Sequence, residues 1–291
     1  MSLQGRAAIV TGAGGGLGRS HALMLARLGA KVIVNDLNEA AAESVAREIA
    51  AQGGQAIAVA TSVTDPAGVA EMVDRTMTAW GRIDILINNA GILRDKSFAK
   101  MDLADFRLVL DVHLMGAVHC SKAVWELMRV QNYGRIVMTT SSSGLYGNFG
   151  QSNYGAAKMA LVGLMQTLAL EGAKHDIRVN CLAPTAATRM TENLLPEAML
   201  KMLEPGAVTP GLLALVARDA PTRTILCAGA GSYERAHITL TQGIHVGVAP
   251  DAAEQIASRL DAISDRDGET VPESGTAQGM LETAKAMQSA R

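Results

Sequence analysis

Short apolar runs alternate with longer amphipathic stretches over most of the 291-residue chain. The apolar runs lack helical periodicity and are bounded by turn residues, which predicts buried β-strands, and the amphipathic stretches between them predict helices. The predicted strands are residues 7–11, 31–36, 55–60, 83–88, 135–140, 177–182 and 224–228. Repeated strand-helix units predict an α/β fold: a doubly wound parallel sheet covered by helices on both faces, three layers (α/β/α) in a single domain.

Polar and glycine-rich segments follow several of these strands. They are residues 61–63, 88–91, 140–143 and 184–189. In an open parallel sheet, ligands bind beyond the carboxyl ends of the strands. We therefore expect the chemistry to lie in these four loops.

The pattern indicates one catalytic domain over residues 1–248 and a helical extension over residues 249–291. No repeat, low-complexity tract or linker precedes about residue 245. The extension could cover a subunit interface, pack back on the domain or be disordered, and the sequence leaves these alternatives open.

A segment at about residues 190–221 is rich in Leu and Met, among them Met202, Leu212 and Leu215. Flexible thioether side chains adapt to an acyl chain or a sterol face, which makes the segment a candidate lid. The alternative is ordinary core packing of short helices.

Composition narrows the partners and the compartment. The formal net charge is −2 without a dense basic run, so neither nucleic acid nor a membrane is an expected partner. Cys120, Cys181 and Cys227 lack C-x-x-C spacing and lie in apolar segments, which indicates reduced, buried thiols. No signal peptide and no transmembrane run is recognisable, which predicts a cytoplasmic protein. No cluster of His, Cys and Asp has metal-ligand spacing, so no metal is expected.

A glycine-rich turn joins the first predicted strand to the next helix. Thr11, Gly12, Gly16 and Gly18 fit the pattern T-G-x-x-x-G-x-G. Glycines let the backbone approach a pyrophosphate, and the free N–H groups at a helix start attract the anion. The turn alone is weak evidence, but its position between a strand and a helix predicts a dinucleotide site.

Asp36 ends the second predicted strand, 18 residues after Gly18. A carboxylate at this position accepts hydrogen bonds from the adenosine ribose hydroxyls and repels a 2′-phosphate. The sequence therefore predicts NAD rather than NADP as the cofactor. The alternative is that Asp36 caps the helix predicted at residues 39–50, and both roles could hold together.

Tyr154 and Lys158 are four residues apart, which places them on one face if the segment is helical. A phenol has a pKa of about 10, but an ammonium about 4 Å away would lower that value by about three units at an effective dielectric constant of about 20. Tyr154 could then exchange protons near neutral pH. The alternative is an ordinary surface pair.

Four motifs occur in the order found in the short-chain dehydrogenase/reductase family, which the chain resembles over about residues 5–190. They are the glycine turn, the sequence N-N-A-G at 88–91, Ser141 thirteen positions before Tyr154, and Tyr154-x-x-x-Lys158. The resemblance implies a Rossmann-type fold and an oxidoreductase that uses NAD.

The resemblance also implies roles for individual residues. Tyr154 would be the general acid/base, Lys158 would hold the nicotinamide ribose and lower the pKa of Tyr154, and Ser141 would orient the substrate oxygen. His113 stands where the family usually has an asparagine that relays protons, and it is either part of a relay through water or a helix-packing histidine. The implied cofactor-binding set is Gly12, Gly16, Leu17, Gly18, Asp36, Ser62, Val63, Asn89, Ala90, Tyr154, Lys158 and Ala187. Many members have Asp at position 62 and Gly at position 185, so Ser62 and Thr185 depart from the family pattern.

Residues 91–98, 111–116, 132–136 and 144–151 resemble a group within that family, the dehydrogenase part of peroxisomal multifunctional enzymes of type 2. This implies NAD-dependent oxidation of (3R)-hydroxyacyl-CoA to 3-oxoacyl-CoA by a homodimer or homotetramer joined through the long central helices. The alternatives are a 17β-type hydroxysteroid dehydrogenase and, from another class, a catalytically silent NAD-binding regulatory protein.

Overall fold

A computed structural model describes residues 1–187 and 197–289 of the chain. The strands are β1 (Ala7–Thr11), β2 (Lys31–Asp36), β3 (Gln55–Ala60), β4 (Ile85–Asn88), β5 (Gly134–Thr139), β6 (Ile177–Thr185), β7 (Ile225–Gly229) and β8 (Ser232–Ala236). The helices are α1 (Gly16–Arg27), α2 (Glu39–Ala51), α3 (Pro66–Trp80), α4 (Leu103–Leu110), α5 (Gly116–Gln131), α6 (Ser142–Tyr146), α7 (Ser152–Gly172), α8 (Glu197–Met202), α9 (Thr209–Val216), α10 (Ala252–Ser258), α11 (Leu260–Ser264) and α12 (Gly275–Ser289).

The strands form one sheet in the order β3-β2-β1-β4-β5-β6-β7-β8, and the pairs from β3 through β7 are parallel. The order reverses between β1 and β4, which is the switch point where such folds bind ligands. The prediction of a doubly wound α/β sheet is confirmed. The last strand, β8, returns beside β7 after a two-residue turn in which Ala230 and Gly231 have positive φ.

Strand burial explains why the apolar runs showed no alternation. Every residue of β1, β4 and β5 is buried, because helices cover both faces of the sheet. Val10, Val34 and Ile87 belong to one core cluster with residues of α1, α2 and α9. The neighbouring positions Ile9 and Ile33 are equally buried and point to the opposite face.

The Leu- and Met-rich segment is partly core. Leu212 and Leu215 of α9 are buried in that core cluster, as the core-packing alternative predicts, whereas Met202 is 58% exposed. Residues 188–196, which include the first part of the expected lid, lie outside the described residues. The lid therefore stays a prediction.

Contacts divide the chain into two compact units, Met1–Arg235 and Ala236–Arg291. Within the second unit, Leu240 and Thr270 pair as an antiparallel bridge, and the Thr241 hydroxyl donates to the Ile263 carbonyl. The division predicted at residue 248 stays a prediction.

Within the described parts of the chain, every helix is too short or too polar to cross a bilayer.

At the amino ends of the strands, the guanidinium of Arg135 is fully buried. It donates to the carbonyls of Gly134, Asp176, Ala217 and Arg218 and to the Asp176 carboxylate, at 2.6–3.1 Å. This one side chain therefore ties β5 to the turn before β6 and to the segment after α9.

We predict that Arg135→Lys lowers the free energy of unfolding by about 2–3 kcal/mol, because an ammonium cannot replace a planar donor set and leaves buried carbonyls unpaired. Urea denaturation measures the change. The control is Arg129→Lys at an exposed ion pair with Glu126, for which we expect a change within about 0.5 kcal/mol. Equal stability of the two variants would contradict the prediction.

Candidate active site

The glycine turn lies at the switch point of the sheet and has no room for larger residues. Gly12 and Gly16 have φ of 63° and 52°, in the left-handed region. A Cβ on Gly14 would lie 2.8 Å from Asp36 Oδ2, and one on Gly18 would overlap the Gly12 carbonyl oxygen. The result is a cradle of bare backbone at the start of α1, which fits a bound pyrophosphate.

The N-N-A-G segment locks this turn from the neighbouring strand. Asn89 Nδ2 donates to the carbonyls of Thr11 and Gly12 at 2.9 and 3.2 Å. The Thr11 hydroxyl accepts from the amides of Asn89 and Ala90, both at 3.0 Å. The residues that sequence motifs place in the cofactor set are therefore in contact across β1 and β4.

Asp36 lies beside the turn, as expected for a ribose-binding carboxylate. Its Oδ2 accepts from the Gly14 amide at 2.9 Å and its Oδ1 from the Asn38 amide at 3.0 Å. The N-cap of α2 is Asn38, whose side chain accepts from the Ala41 amide. The alternative that Asp36 itself caps α2 is therefore wrong: its carboxylate is turned back toward the glycine turn.

Two further members of the predicted cofactor set follow β3. The Ser62 hydroxyl contacts the Thr64 hydroxyl at 2.8 Å and accepts from its amide. Val63 is buried, and a Cβ on Gly116 would overlap its side chain. Leu17 is part-buried at the first turn of α1, and the amide of Ala187, near the end of β6, donates to the Leu203 carbonyl.

Ser141 and Tyr154 come together at the carboxyl edge. Ser141 is the N-cap of α6, where its hydroxyl accepts from the Ser143 amide, and its hydroxyl also acts on the pKa of the neighbouring Tyr154 phenol. The helices are in close contact, because a Cβ on Gly144 would lie 2.8 Å from Lys158 Cβ. A small residue in α6 thus allows Ser141 to approach α7.

Lys158 is buried one helical turn beyond Tyr154. Its Nζ donates to the Thr139 carbonyl at 2.6 Å and lies 5.4 Å from the centroid of the Tyr154 ring. Burial lowers the pKa of Lys158 to about 7, because the charged form loses its hydration.

The expected acidification of Tyr154 is not found. Burial raises the pKa of Tyr154 above its ordinary value, the Asp95 carboxylate adds to the rise, and the hydrogen bond from Ser141 only partly opposes it. The expectation assumed a solvated ammonium about 4 Å away, whereas both side chains are desolvated, and each loss of hydration favours the uncharged form.

His113 sits in a π-helical segment, Asp111–Met115, which lies between α4 and α5. Its ring contacts the Tyr154 ring edge-on, with centroids 5.2 Å apart. Its Nε2 lies 3.0 Å from the Ile92 amide nitrogen and 2.8 Å from the Ile92 carbonyl oxygen. Burial and then the Lys158 charge lower the pKa of His113 to about 3, so the imidazole is neutral.

Three buried polar atoms near these groups lack a hydrogen-bond partner among the described residues: Asn88 Oδ1, His113 Nδ1 and Thr139 Oγ1. Asn88, His113 and Lys158 line one small cavity. Because Nε2 faces the Ile92 backbone, a relay through His113 would have to use Nδ1. Asn88 and Thr139 were missed as site residues, although they end β4 and β5 at the edge where ligands bind.

In the part of the chain that the structure describes, no group of three or more His, Cys, Asp and Glu side chains could hold a metal ion. The expectation of a metal-free site stays a prediction.

Comparison with known proteins agrees with this geometry. The family model "short chain dehydrogenase" matches residues 6–198. The chain belongs to this family. Its members are oxidoreductases that typically bind NAD or NADP, so a glycine cradle at the switch point of the sheet is the expected cofactor site.

Individual relatives cover different shares of the chain. A short-chain type dehydrogenase/reductase of Mycobacterium tuberculosis is 44% identical over 91% of this chain and 96% of its own length. Peroxisomal multifunctional enzyme type 2 of Drosophila melanogaster is 51% identical over 71% of this chain, which spans 36% of that protein. The resemblance to this group of enzymes is confirmed.

Solved structures show the same fold. Full-length Drosophila multifunctional enzyme type 2 has a TM-score of 0.80 at 36% identity, covering 98% of this chain and 51% of that one. A 7α-hydroxysteroid dehydrogenase complexed with NADH and 7-oxo glycochenodeoxycholic acid has a TM-score of 0.74 at 31% identity, covering 79% of this chain and 95% of that one.

We predict that Gly18→Ala weakens NADH binding at least about tenfold, because the added methyl group overlaps the Gly12 carbonyl and must displace the turn. Fluorescence titration with NADH measures the dissociation constant. The matched control is Gly279→Ala in α12, where a Cβ would contact nothing within 4 Å and NADH binding should not change. Unchanged binding by both variants would refute the assignment of the turn.

Proposed function

We propose that this enzyme oxidises a (3R)-hydroxyacyl-CoA thioester to the 3-oxoacyl-CoA with NAD+ as the acceptor. The observation that carries the proposal is the convergence of Ser141, Tyr154 and Lys158 at the carboxyl edge of the sheet. Relatives in the multifunctional enzyme group support the substrate class.

The chain's own residues supply the proton chemistry. Ser141 donates a hydrogen bond to the substrate oxygen, and Tyr154 takes the hydroxyl proton as the ketone forms. Lys158 would hold the nicotinamide ribose and stabilise the Tyr154 phenolate by its charge. Bound NAD+ would accept the hydride from the carbinol carbon. His113 holds the Tyr154 ring edge-on, and water at its Nδ1 would be the route of any relay.

A hydroxysteroid dehydrogenase is the second candidate. The 7α-hydroxysteroid dehydrogenase complexed with 7-oxo glycochenodeoxycholic acid supports it, because the two chains share their fold over 95% of that protein. The same Ser141–Tyr154–Lys158 chemistry would serve a steroid hydroxyl. A catalytically silent NAD-binding protein is the third candidate, and the intact trio of side chains speaks against it.

The substrate class is tested by following NADH appearance with (3R)-hydroxyacyl-CoA thioesters of varied chain length beside 17β- and 7α-hydroxysteroids. Activity on thioesters alone supports the proposal. Activity on steroids alone assigns the second candidate, and inactivity on the whole panel contradicts both.

We also propose a homodimer or homotetramer joined through α5 and α7. A groove between these helices, with a volume of about 160 Å³, is lined by Val118, Trp125, Leu164 and Leu168 among others. Ser121, Lys122 and Glu171 complete the lining, so the groove offers a partner subunit both apolar and charged contacts. The cytoplasmic location stays a prediction.

We predict that Tyr154→Phe lowers kcat at least about 1,000-fold while NADH binding is kept, because the ring remains and the proton acceptor is lost. Tyr133→Phe at the opposite edge is the control and should keep wild-type turnover. Undiminished turnover of Tyr154→Phe would remove this residue from the mechanism.

In the wild type, we predict that alcohol oxidation accelerates as pH rises, because burial raises the pKa of Tyr154 and the base is its deprotonated form.

We predict that Asp36→Ala reduces discrimination against NADP by at least about tenfold, because the carboxylate that repels a 2′-phosphate is lost. The ratio of kcat/KM for NAD+ to that for NADP+ measures the effect. Asp65→Ala, which removes the N-cap of α3, is the control for loss of a loop carboxylate. An unchanged ratio for Asp36→Ala would mean that this carboxylate only supports the turn.

A further inference from the structure

Asn153 precedes Tyr154 in the first turn of α7, and its amide side chain is completely buried. Its Oδ1 accepts from the Tyr154 amide at 2.7 Å. Its Nδ2 donates to the carbonyl of Arg94 at 3.0 Å, 59 residues away in the chain. Buried amide side chains are tolerated where their hydrogen bonds are made, and here one bond leads to Tyr154 and the other to the loop after β4.

The same loop is held two residues earlier by His113, whose Nε2 contacts both backbone polar atoms of Ile92. His113 is 4% exposed, so this contact is also shielded from water. Two buried polar side chains from different helical segments therefore hold residues 92–94 at both ends. We call residues 92–94 the loop wall.

The contacts close into a ring. Asn153 joins the loop wall to Tyr154, His113 joins the other end of the loop wall, and the rings of His113 and Tyr154 meet edge-on at 5.2 Å. Among the bonds described, only that of Asn153 joins Arg94 O to α7, whereas Asp95 and Lys96 are tied separately to Gln151 and Gly150. The ring thus fixes the direction of the Tyr154 side chain, whose hydroxyl must reach both Ser141 and the substrate.

We propose that Asn153 is a positioning residue for Tyr154: by joining the Arg94 carbonyl to the Tyr154 amide, it holds the loop wall against the tyrosine and keeps the hydroxyl in line with the substrate oxygen. The proposal rests on the proposed function, in which Tyr154 transfers the proton. A displacement of about 1 Å in a catalytic group can lower the rate by about 100-fold.

The test uses the full chain with Asn153→Ala and Asn153→Ser, and with (3R)-hydroxybutyryl-CoA and NAD+ as probes. NADH-binding sites are counted by titration, and kcat is expressed per site. We expect both variants to bind NADH at wild-type stoichiometry and to lose about 10- to 100-fold in kcat per site. The primary deuterium isotope effect on oxidation should rise, because a misplaced proton acceptor makes the chemical step limiting.

Serine keeps a hydroxyl beside the Tyr154 amide but cannot reach Arg94, so its failure to restore kcat locates the effect in the bond to the loop wall.

Asn132→Ala is the matched control. Asn132 is an exposed asparagine with φ of 50°, so alanine there lowers stability without touching the site, and kcat per site should stay at the wild-type value. Wild-type kcat per site in both Asn153 variants would overturn the proposal, as would a loss of rate that only matches a loss of NADH-binding sites. If Tyr154→Phe keeps its turnover, the proposed function fails and the positioning role with it, whereas an inactive Tyr154→Phe beside fully active Asn153 variants contradicts the positioning role alone.

Discussion

Burial of the Lys158 ammonium under the carboxyl end of β5 is the constraint on which the electrostatics of the site depends. Loss of hydration lowers its pKa to about 7, and the same loss raises the pKa of Tyr154. Burial therefore favours the uncharged form of both groups, a phenol at Tyr154 and an amine at Lys158.

The two edges of the sheet treat buried charge in opposite ways. At the amino edge, the Asp84 carboxylate accepts from Arg82, Arg6 and the Ala7 amide, and although burial opposes ionisation, these bonds lower its pKa. At the carboxyl edge, polar atoms of Asn88 and Thr139 are buried without a partner among the described residues. Fully bonded networks rigidify a fold, whereas unsatisfied groups are expected where a ligand completes the bonding. The amino edge therefore stabilises the sheet and leaves the carboxyl edge available for chemistry.

Sequence patterns predicted the parts of the molecule that depend on periodicity and strand ends. Strands β1 to β7 and the positions of Asp36 and the glycine turn at strand ends follow from local composition, whereas β8 was not predicted. The sign of the pKa shift at Tyr154 did not, because desolvation depends on how deeply α7 packs, which no spacing reveals. The capping role of Asn38 and the π-helical segment at Asp111–Met115 were missed for a similar reason, since both depend on local geometry that several residue types could adopt.

The π-helical segment also explains why positions 91 and 116 are glycine. A Cβ on Gly91 would overlap the ring of His113, and a Cβ on Gly116, directly after the segment, would overlap Val63. The widened turn brings the imidazole of His113 against the loop after β4 and the backbone of α5 against the loop after β3. Gly91 and Gly116 must therefore lack a side chain. Gly91 of the N-N-A-G sequence is therefore required by the imidazole of His113, which lies in the π-helical segment after α4. Position 113 and position 91 form one packing unit, in which a change at either residue alters the wall beside Tyr154.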